Sequence, residues 1–268
     1  MTVAILTVIL GWAGSHSVQS AESAVAVEPR GDGLTITAGP ITLAIARTGQ
    51  VSDVRLGGRP LLTRIGLEIH DASGRPLDLS SAAWEPLDVA DTFGGVSVVA
   101  RGSVSSADNT LDLACHIETR IGEDGSISTV ATVSPRANCQ VQRIAWVADA
   151  PIASLAGREI WYNPRGEAPG GGEPQFRPGF SVSKPVPAAP AGPKLVESAV
   201  WIGLPLGDGT NLELVTRDGN TILEDRRPGT DSLALVSLIA YAYPNLAAGD
   251  RRPTQMVVRP PRAADFAP

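Results

Sequence analysis

Residues 111–120, reading LDLACHIETR, place three groups suited to proton transfer and anion binding on one short stretch. With a period of two, Leu111, Leu113, Cys115 and Ile117 fall on one face of a strand, and Asp112, His116, Glu118 and Arg120 on the other. His116 or Glu118 would serve as general base and Arg120 as a clamp for a carboxylate, the outfit that lyase or hydrolase chemistry on an acidic sugar requires. The same alternation is what an antiparallel sheet shows to water, with charged cross-strand pairs. Both readings stand at this point.

A second constellation lies in residues 161–194, which hold eight Pro and six Gly in 34 positions. Such a composition opposes regular structure, and a loop of this length in a compact domain is usually functional or disordered. Aromatics number twelve in the chain, and four of them, Trp161, Tyr162, Phe176 and Phe180, fall in the first twenty positions of the loop. They alternate with polar groups, giving Trp161, Tyr162, Arg165, Glu167, Phe176 and Arg177 as candidate substrate-binding residues. Sugars present apolar C–H faces and rings of hydroxyls, which aromatic platforms beside Arg and Glu can recognise. In the functional reading this loop roofs the face bearing His116, Glu118 and Arg120, with Arg165 or Arg177 as further clamps. In the alternative, Trp161 and Phe176 pin the loop to the body of the protein as satellite cores.

His70, with Glu68 and Asp71 beside it, lacks the HxH or HExxH spacing of a metal site and reads as a surface histidine near a turn. No nucleophile elbow, phosphate loop or dinucleotide-binding pattern occurs in a strand-to-helix context, so no cofactor and no metal are expected. Gly170, Gly171 and Gly172 sit inside the Pro-rich loop as flexibility.

The elements that must position these groups are strands. Leu34, Ile36 and Ala38, then Ile41, Leu43 and Ile45, then Ile65, Leu67 and Ile69 alternate with small or polar partners, and residues 51–56 and 96–104 read the same way. Gly and Asp breaks at 31–33, 122–125, 207–209 and 217–220 supply the positive φ angles of tight hairpins. Residues 110–119 and 127–134 form one such hairpin, with 141–147 as a third strand. The stretch 231–242 begins with a possible helix cap at Asp231, but its Leu, Val and Ile content predicts a buried strand. From Arg251 the sequence predicts a trailing edge strand and a frayed tail. The fold class is therefore all-β, a large antiparallel β-sandwich with one long Pro/Gly-rich loop, in a single domain over residues 24–262 with a tail at 263–268.

Residues 3–11 are apolar apart from Thr7 and are followed by small and polar residues, as in the core and cleavage region of a secretory leader, although no Lys or Arg precedes them. Residues 1–23 are thus expected to be a signal peptide, placing the protein outside the cytoplasm, secreted or periplasmic, with no membrane association once the leader is removed. The net charge of −6 includes charges of both signs along the whole chain, which leaves no basic track for a nucleic acid. Cys115 and Cys139 are the only cysteines, and export would permit a disulfide. On strands two apart in one sheet they would lie roughly 9 to 10 Å from each other, beyond bridging distance unless the chain bends to a second sheet, so bridged and free forms are both open.

Residues 34–62, LTITAGPITLAIARTGQVSDVRLGGRPLL, resemble the opening of a galactose mutarotase-like β-supersandwich. IHDASGRP at 69–76, VSVVARGSV at 96–104, ISTVATVSP at 127–135 and VSLIAYAYP at 236–244 are similar to the central sandwich of exo-acting rhamnogalacturonan lyases and related polysaccharide lyases. The resemblance implies a supersandwich that acts on or binds a polysaccharide or oligosaccharide. Two departures accompany it: the helical toroid of those lyases has no counterpart here, and the His and Glu pattern of aldose mutarotases is not recognisable around His70 or His116. The alternative is a non-catalytic structural or protein-interaction domain of a cell-envelope or secreted system, serving a separate catalytic protein.

Overall fold

Alternation of apolar and polar residues shapes most of the chain, and the computed structural model turns it into twenty strands. It describes residues 25–106, 108, 110–164, 174–175, 177, 179–190, 192, 194–216, 221–241 and 245–263, with side chains through residue 261. The expected leader, most of the tail, and Arg165, Glu167 and Phe176 of the loop lie outside the described residues. The first eleven strands are β1 (Val25–Arg30), β2 (Gly33–Ala38), β3 (Ile41–Ile45), β4 (Val51–Leu56), β5 (Arg59–Asp71), β6 (Ala83–Trp84), β7 (Asp88–Thr92), β8 (Gly95–Ser105), β9 (Asp112–Gly122), β10 (Ile127–Pro135) and β11 (Cys139–Pro151). There follow β12 (Glu159–Pro164), β13 (Val182–Pro185), β14 (Lys194–Glu197), β15 (Ala199–Pro205), β16 (Thr210–Thr216), β17 (Thr221–Asp225), β18 (Ser232–Tyr241), β19 (Asn245–Leu246) and β20 (Arg252–Ala263).

These strands form two antiparallel ten-stranded sheets packed face to face. The first runs β1-β2-β3-β4-β5-β11-β18-β17-β14, with β19 beside β11; the second runs β13-β12-β15-β16-β20-β10-β9-β8-β6, with β7 beside β8. Ile36, Ile65, Ile69 and Trp146 from the first sheet meet Leu113, Ile117, Ile127 and Met256 from the second in one core. Buried side-chain hydrogen bonds cross between the sheets: Trp146 Nε1 donates to Thr129 Oγ1 at 2.8 Å, the Ser237 and Thr254 hydroxyls meet at 2.8 Å, and those of Thr216 and Thr221 at 2.6 Å. The turn between β3 and β4 seats on the second sheet at Gly49, whose φ of 76° suits glycine and where a Cβ would come within 2.9 Å of Ala100 Cβ.

The hairpin of β9 and β10 and the strand nature of residues 232–241 match the expectations from sequence. Three expectations are corrected. Residues 141–147 do not continue the β9/β10 hairpin; they belong to β11, between β5 and β18 in the opposite sheet, because both faces of β11 are apolar and only a central strand buries both. Cys115 and Cys139 therefore sit on different sheets, and both thiols are free and buried. The chain beyond Arg251 is no edge strand. β20 lies between β16 and β10, and its Pro260 and Pro261 fall at an irregularity in the pairing with β16, where a missing N–H is tolerated. Finally, Trp161 and Tyr162 open the Pro/Gly-rich region inside β12, paired with β13 and β15. The described part of the loop is tied down by Asn163, which is buried: its Nδ2 donates to Gln175 O at 2.6 Å and its Oδ1 accepts from Ser181 Oγ at 2.5 Å.

Trp146 is fully buried and bridges the sheets, so Trp146→Ala should cost about 3–5 kcal/mol in urea unfolding, as for other large core truncations. A loss below about 1 kcal/mol would mean that the inter-sheet contact is not a principal tie.

Candidate functional site

The outer face of the first sheet is built from small side chains flanked by long charged ones. On β5, Arg64, Gly66, Glu68 and His70 point away from the core by alternation with Ile65, Leu67 and Ile69. On β11 their register partners are Asp149, Val147, Ala145 and Arg143. Next across the sheet, β18 sets Ala234, Val236, Leu238 and Tyr241 opposite Asp149, Val147, Ala145 and Arg143. β17 adds Ile222 and Glu224 opposite Val236 and Ala234. Ala145, Val147, Ala234 and Val236 form a fully buried apolar floor. Because that floor is shallow, the charged arms lie over it and meet above it.

Glu68 is the centre of that layer. Its carboxylate accepts from Arg226 Nη1 at 2.6 Å and Nη2 at 3.0 Å, accepts from Arg64 as well, and has Arg143 Nη2 at 3.7 Å. Arg64 Nε also donates to Asp149 at 2.8 Å. Arg143 grips Glu224 with both Nη atoms at 3.1 and 3.2 Å, and Arg226 reaches the same carboxylate at 3.2 Å. Three guanidiniums thus face three carboxylates in a charge-neutral, interlocked layer. Burial by itself would raise the Glu68 carboxyl, but hydrogen bonds and charge from Arg226 and Arg64 overcome it and hold the group at about 2. His70, at the end of the layer, is pushed down by burial and by the nearby Arg143 charge, so its imidazole is neutral near pH 7.

Arg64, Glu68, His70, Arg143, Glu224 and Arg226 line a cavity of about 910 Å³. Its far wall is the chain leaving β5, which folds back: Leu77 N–H donates to Ile69 O at 2.9 Å, and Asp78 caps a 3₁₀ turn at Leu79–Ser81 through the Ser80 N–H at 2.9 Å. Trp84 closes that wall, its Nε1 donating to Leu79 O at 2.8 Å. Tyr241, 56 % exposed, stands beside Arg143 on β18 as an accessible aromatic outside the cavity lining, and Trp84 is the aromatic that lines the cavity. The cavity therefore offers fixed N–H donors, carboxylate acceptors, a neutral imidazole and an aromatic edge. Among the described residues, no group of three His, Cys, Asp or Glu side chains could hold a metal ion.

The residues singled out from sequence are placed elsewhere. His116, Glu118 and Arg120 share the outer face of β9 in the second sheet, on the opposite side of the sandwich. Glu118 accepts from Arg120 Nε at 2.7 Å and from Ser97 Oγ at 3.2 Å, which depresses its carboxyl and engages it in a surface pair. Trp161 and Tyr162 lie on β12, with β15, β16, β20 and β10 between them and β9, a span of roughly 24 Å at ordinary strand spacing. The strand register thus sets Trp161 and Tyr162 apart from His116. Arg177 is in the described part of the loop, its N–H donating to Ser181 Oγ at 2.9 Å. Arg64, Glu68, Arg143, Glu224 and Arg226 were not singled out from sequence, and His70 was read as a surface group. The usable signal was the run Arg64, Gly66, Glu68, His70, where a glycine interrupts a charged face.

Glu68 has its folded-state value well below the ordinary 4.5, so its stabilisation is complete above about pH 4.5 and is lost as pH falls toward 2. The stability gap between the parent and Glu68→Gln should narrow by on the order of 3 kcal/mol between pH 5 and 2, read by urea unfolding. A gap that stays constant over that range contradicts the assignment.

No protein-family model and no curated protein sequence matches the chain. Solved structures do. The chain is similar to galactose 1-epimerase from Lactobacillus acidophilus, with 10 % identity, 88 % of this chain and 97 % of that one covered, and a TM-score of 0.55. It is similar to a galactose mutarotase-like protein from Clostridium acetobutylicum, with 7 % identity, 90 % and 98 % covered, and a TM-score of 0.56. A protein from Synechocystis matches with 9 % identity, 94 % and 100 % covered, and a TM-score of 0.54. At these identities the likeness is one of architecture, and the chain has the galactose mutarotase-like sandwich fold.

Proposed function

We propose that the protein binds a saccharide in the cavity on the outer face of the first sheet. The observation that carries this reading is the interlocked layer of Arg64, Glu68, Arg143, Glu224 and Arg226 beside His70, in a cavity large enough for a short oligosaccharide, with the exposed Tyr241 next to Arg143 just outside it. Hydroxyl groups need donors and acceptors already fixed in place, and a charged layer locked by its own ion pairs provides both at little ordering cost. The galactose-related structures with this fold favour a carbohydrate ligand. The likeness to polysaccharide-lyase sandwiches rests on strand rhythm.

Recognition fits this cavity better than sugar ring opening. Anomeric inversion needs one group to take the C1 hydroxyl proton and another to protonate the ring oxygen, with values matched to the working pH. Glu68, held at about 2, is a weak proton acceptor, which leaves neutral His70 as the group suited to that step. We also propose export directed by residues 1–23; the mass of the extracytoplasmic protein should then correspond to loss of about the first 23 residues, and an uncleaved chain there would contradict it.

Calorimetric titration with a panel of neutral and acidic oligosaccharides tests the binding site. Tyr241→Ala and His70→Ala, both away from the core, should each weaken the best ligand by about tenfold with the fold intact. Unchanged affinity in both variants, or no binding by any saccharide, contradicts the reading. Optical rotation of freshly dissolved α-galactose tests catalysis; recognition alone predicts no acceleration.

A further inference from the structure

The opposite face of the sandwich carries a second cavity whose charge is not balanced. On the outer face of the second sheet, Arg101 of β8, His116 of β9 and Thr132 of β10 are register partners in one line. They line a groove of about 510 Å³ together with Arg136 and Arg251. In the charged layer of the first cavity Arg64, Arg143 and Arg226 each have a carboxylate within 3.2 Å. Here the pairs are loose: Arg101 reaches Asp88 and Arg136 reaches Asp112 only at 3.5 Å, and neither aspartate lines the groove. Arg251 has no carboxylate partner among the described residues, and Glu85 is the only acid in the lining. Arg136 Nη2 is oriented by Ser103 Oγ at 2.7 Å, a hydroxyl of the same groove.

The two cavities adjoin. Ala83 and Trp84 of β6 line both. Trp84 is seated against Gly102, where a Cβ would come within 2.5 Å of the indole, so a residue with no side chain is needed to keep this shared wall flat against β8. Guanidiniums with unfilled donors, beside a ring N–H and hydroxyls, are suited to a planar or tetrahedral oxyanion.

We propose that this groove is a subsite for the oxyanion of an acidic saccharide, a uronate carboxylate or a sugar sulfate, held by Arg101, Arg136 and Arg251 with His116 as an N–H donor. The saccharide part of the assignment rests on the proposed function. The chain of such a ligand passes over Trp84, with neutral units in the first cavity and the charged unit in the second.

Isothermal titration of the whole protein with a galacturonate oligosaccharide, a sulfated galactan oligosaccharide, a neutral galactan oligosaccharide of equal length and inorganic sulfate tests this. One acidic oligosaccharide should bind about tenfold tighter than the neutral one, and Arg101→Gln with Arg136→Gln should abolish that preference while leaving neutral binding in place. Arg120→Gln, on the same strand face but outside the groove, should leave the preference intact. Which acidic oligosaccharide is preferred separates carboxylate from sulfate. Equal binding of acidic and neutral oligosaccharides, or a preference that survives the double substitution, overturns the proposal. Inorganic sulfate binding as tightly as the acidic oligosaccharide makes this a free-ion site and also overturns it. Neutral binding without acidic preference defeats this inference alone, whereas absence of binding by every oligosaccharide defeats the proposed function as well.

Discussion

Glu68 on β5 sits where guanidiniums from β5, β11 and the segment after β17 meet, and its carboxylate is the contact on which the first cavity depends. Removing a carboxylate from water is costly, and only the two-pronged grip of Arg226 with a further donor from Arg64 makes the charged form the stable one. The grip requires closeness, which the floor of Ala145, Val147, Ala234 and Val236 permits. Larger residues there would lift the arms apart. Packing of small apolar residues and pairing of large charged ones are thus one device, and the charge neutrality of the layer follows from it.

The two-sheet architecture gives each outer face a separate task. Because the inner faces are committed to one core and joined by Trp146 and Ser237, the chemistry is pushed outward to the two opposite surfaces. On the first sheet the charges cancel locally. On the second, the described loop residues Pro174 and Gln175 accept hydrogen bonds from Arg259 of β20 and Asn163 of β12, and the part of the face around His116 carries surplus positive charge. The short strand β6 links the two surfaces through Trp84.

Strand positions and hairpins were legible in the sequence because the period of two is a local signal, as in β3, β9 and β10. Pairing beyond adjacent strands was not. Nothing local in residues 139–151 says that they leave the β9/β10 hairpin for the other sheet, except that apolar residues occupy both faces. The prolines of β20 pointed to an edge, yet the irregular pairing with β16 accommodates them in the interior of a sheet. The site was hidden for the same reason. Asp112, His116, Glu118 and Arg120 on β9 and Arg64, Glu68 and His70 on β5 show the same alternation, and what separates a solvated face from an interlocked one is the neighbour across the sheet. Arg143, Glu224 and Arg226 come from distant segments that only the fold brings to Glu68.

The most direct test of this account is a double-mutant cycle between Glu68 and Arg226, using Glu68→Gln, Arg226→Gln and the pair, read by urea unfolding at pH 7. A hub that holds the layer together predicts a coupling energy of about 2 kcal/mol, with the double variant much less damaged than the sum of the single ones. Additivity within about 0.5 kcal/mol would show two independent surface charges, and the cavity would lose the interaction from which its geometry is derived.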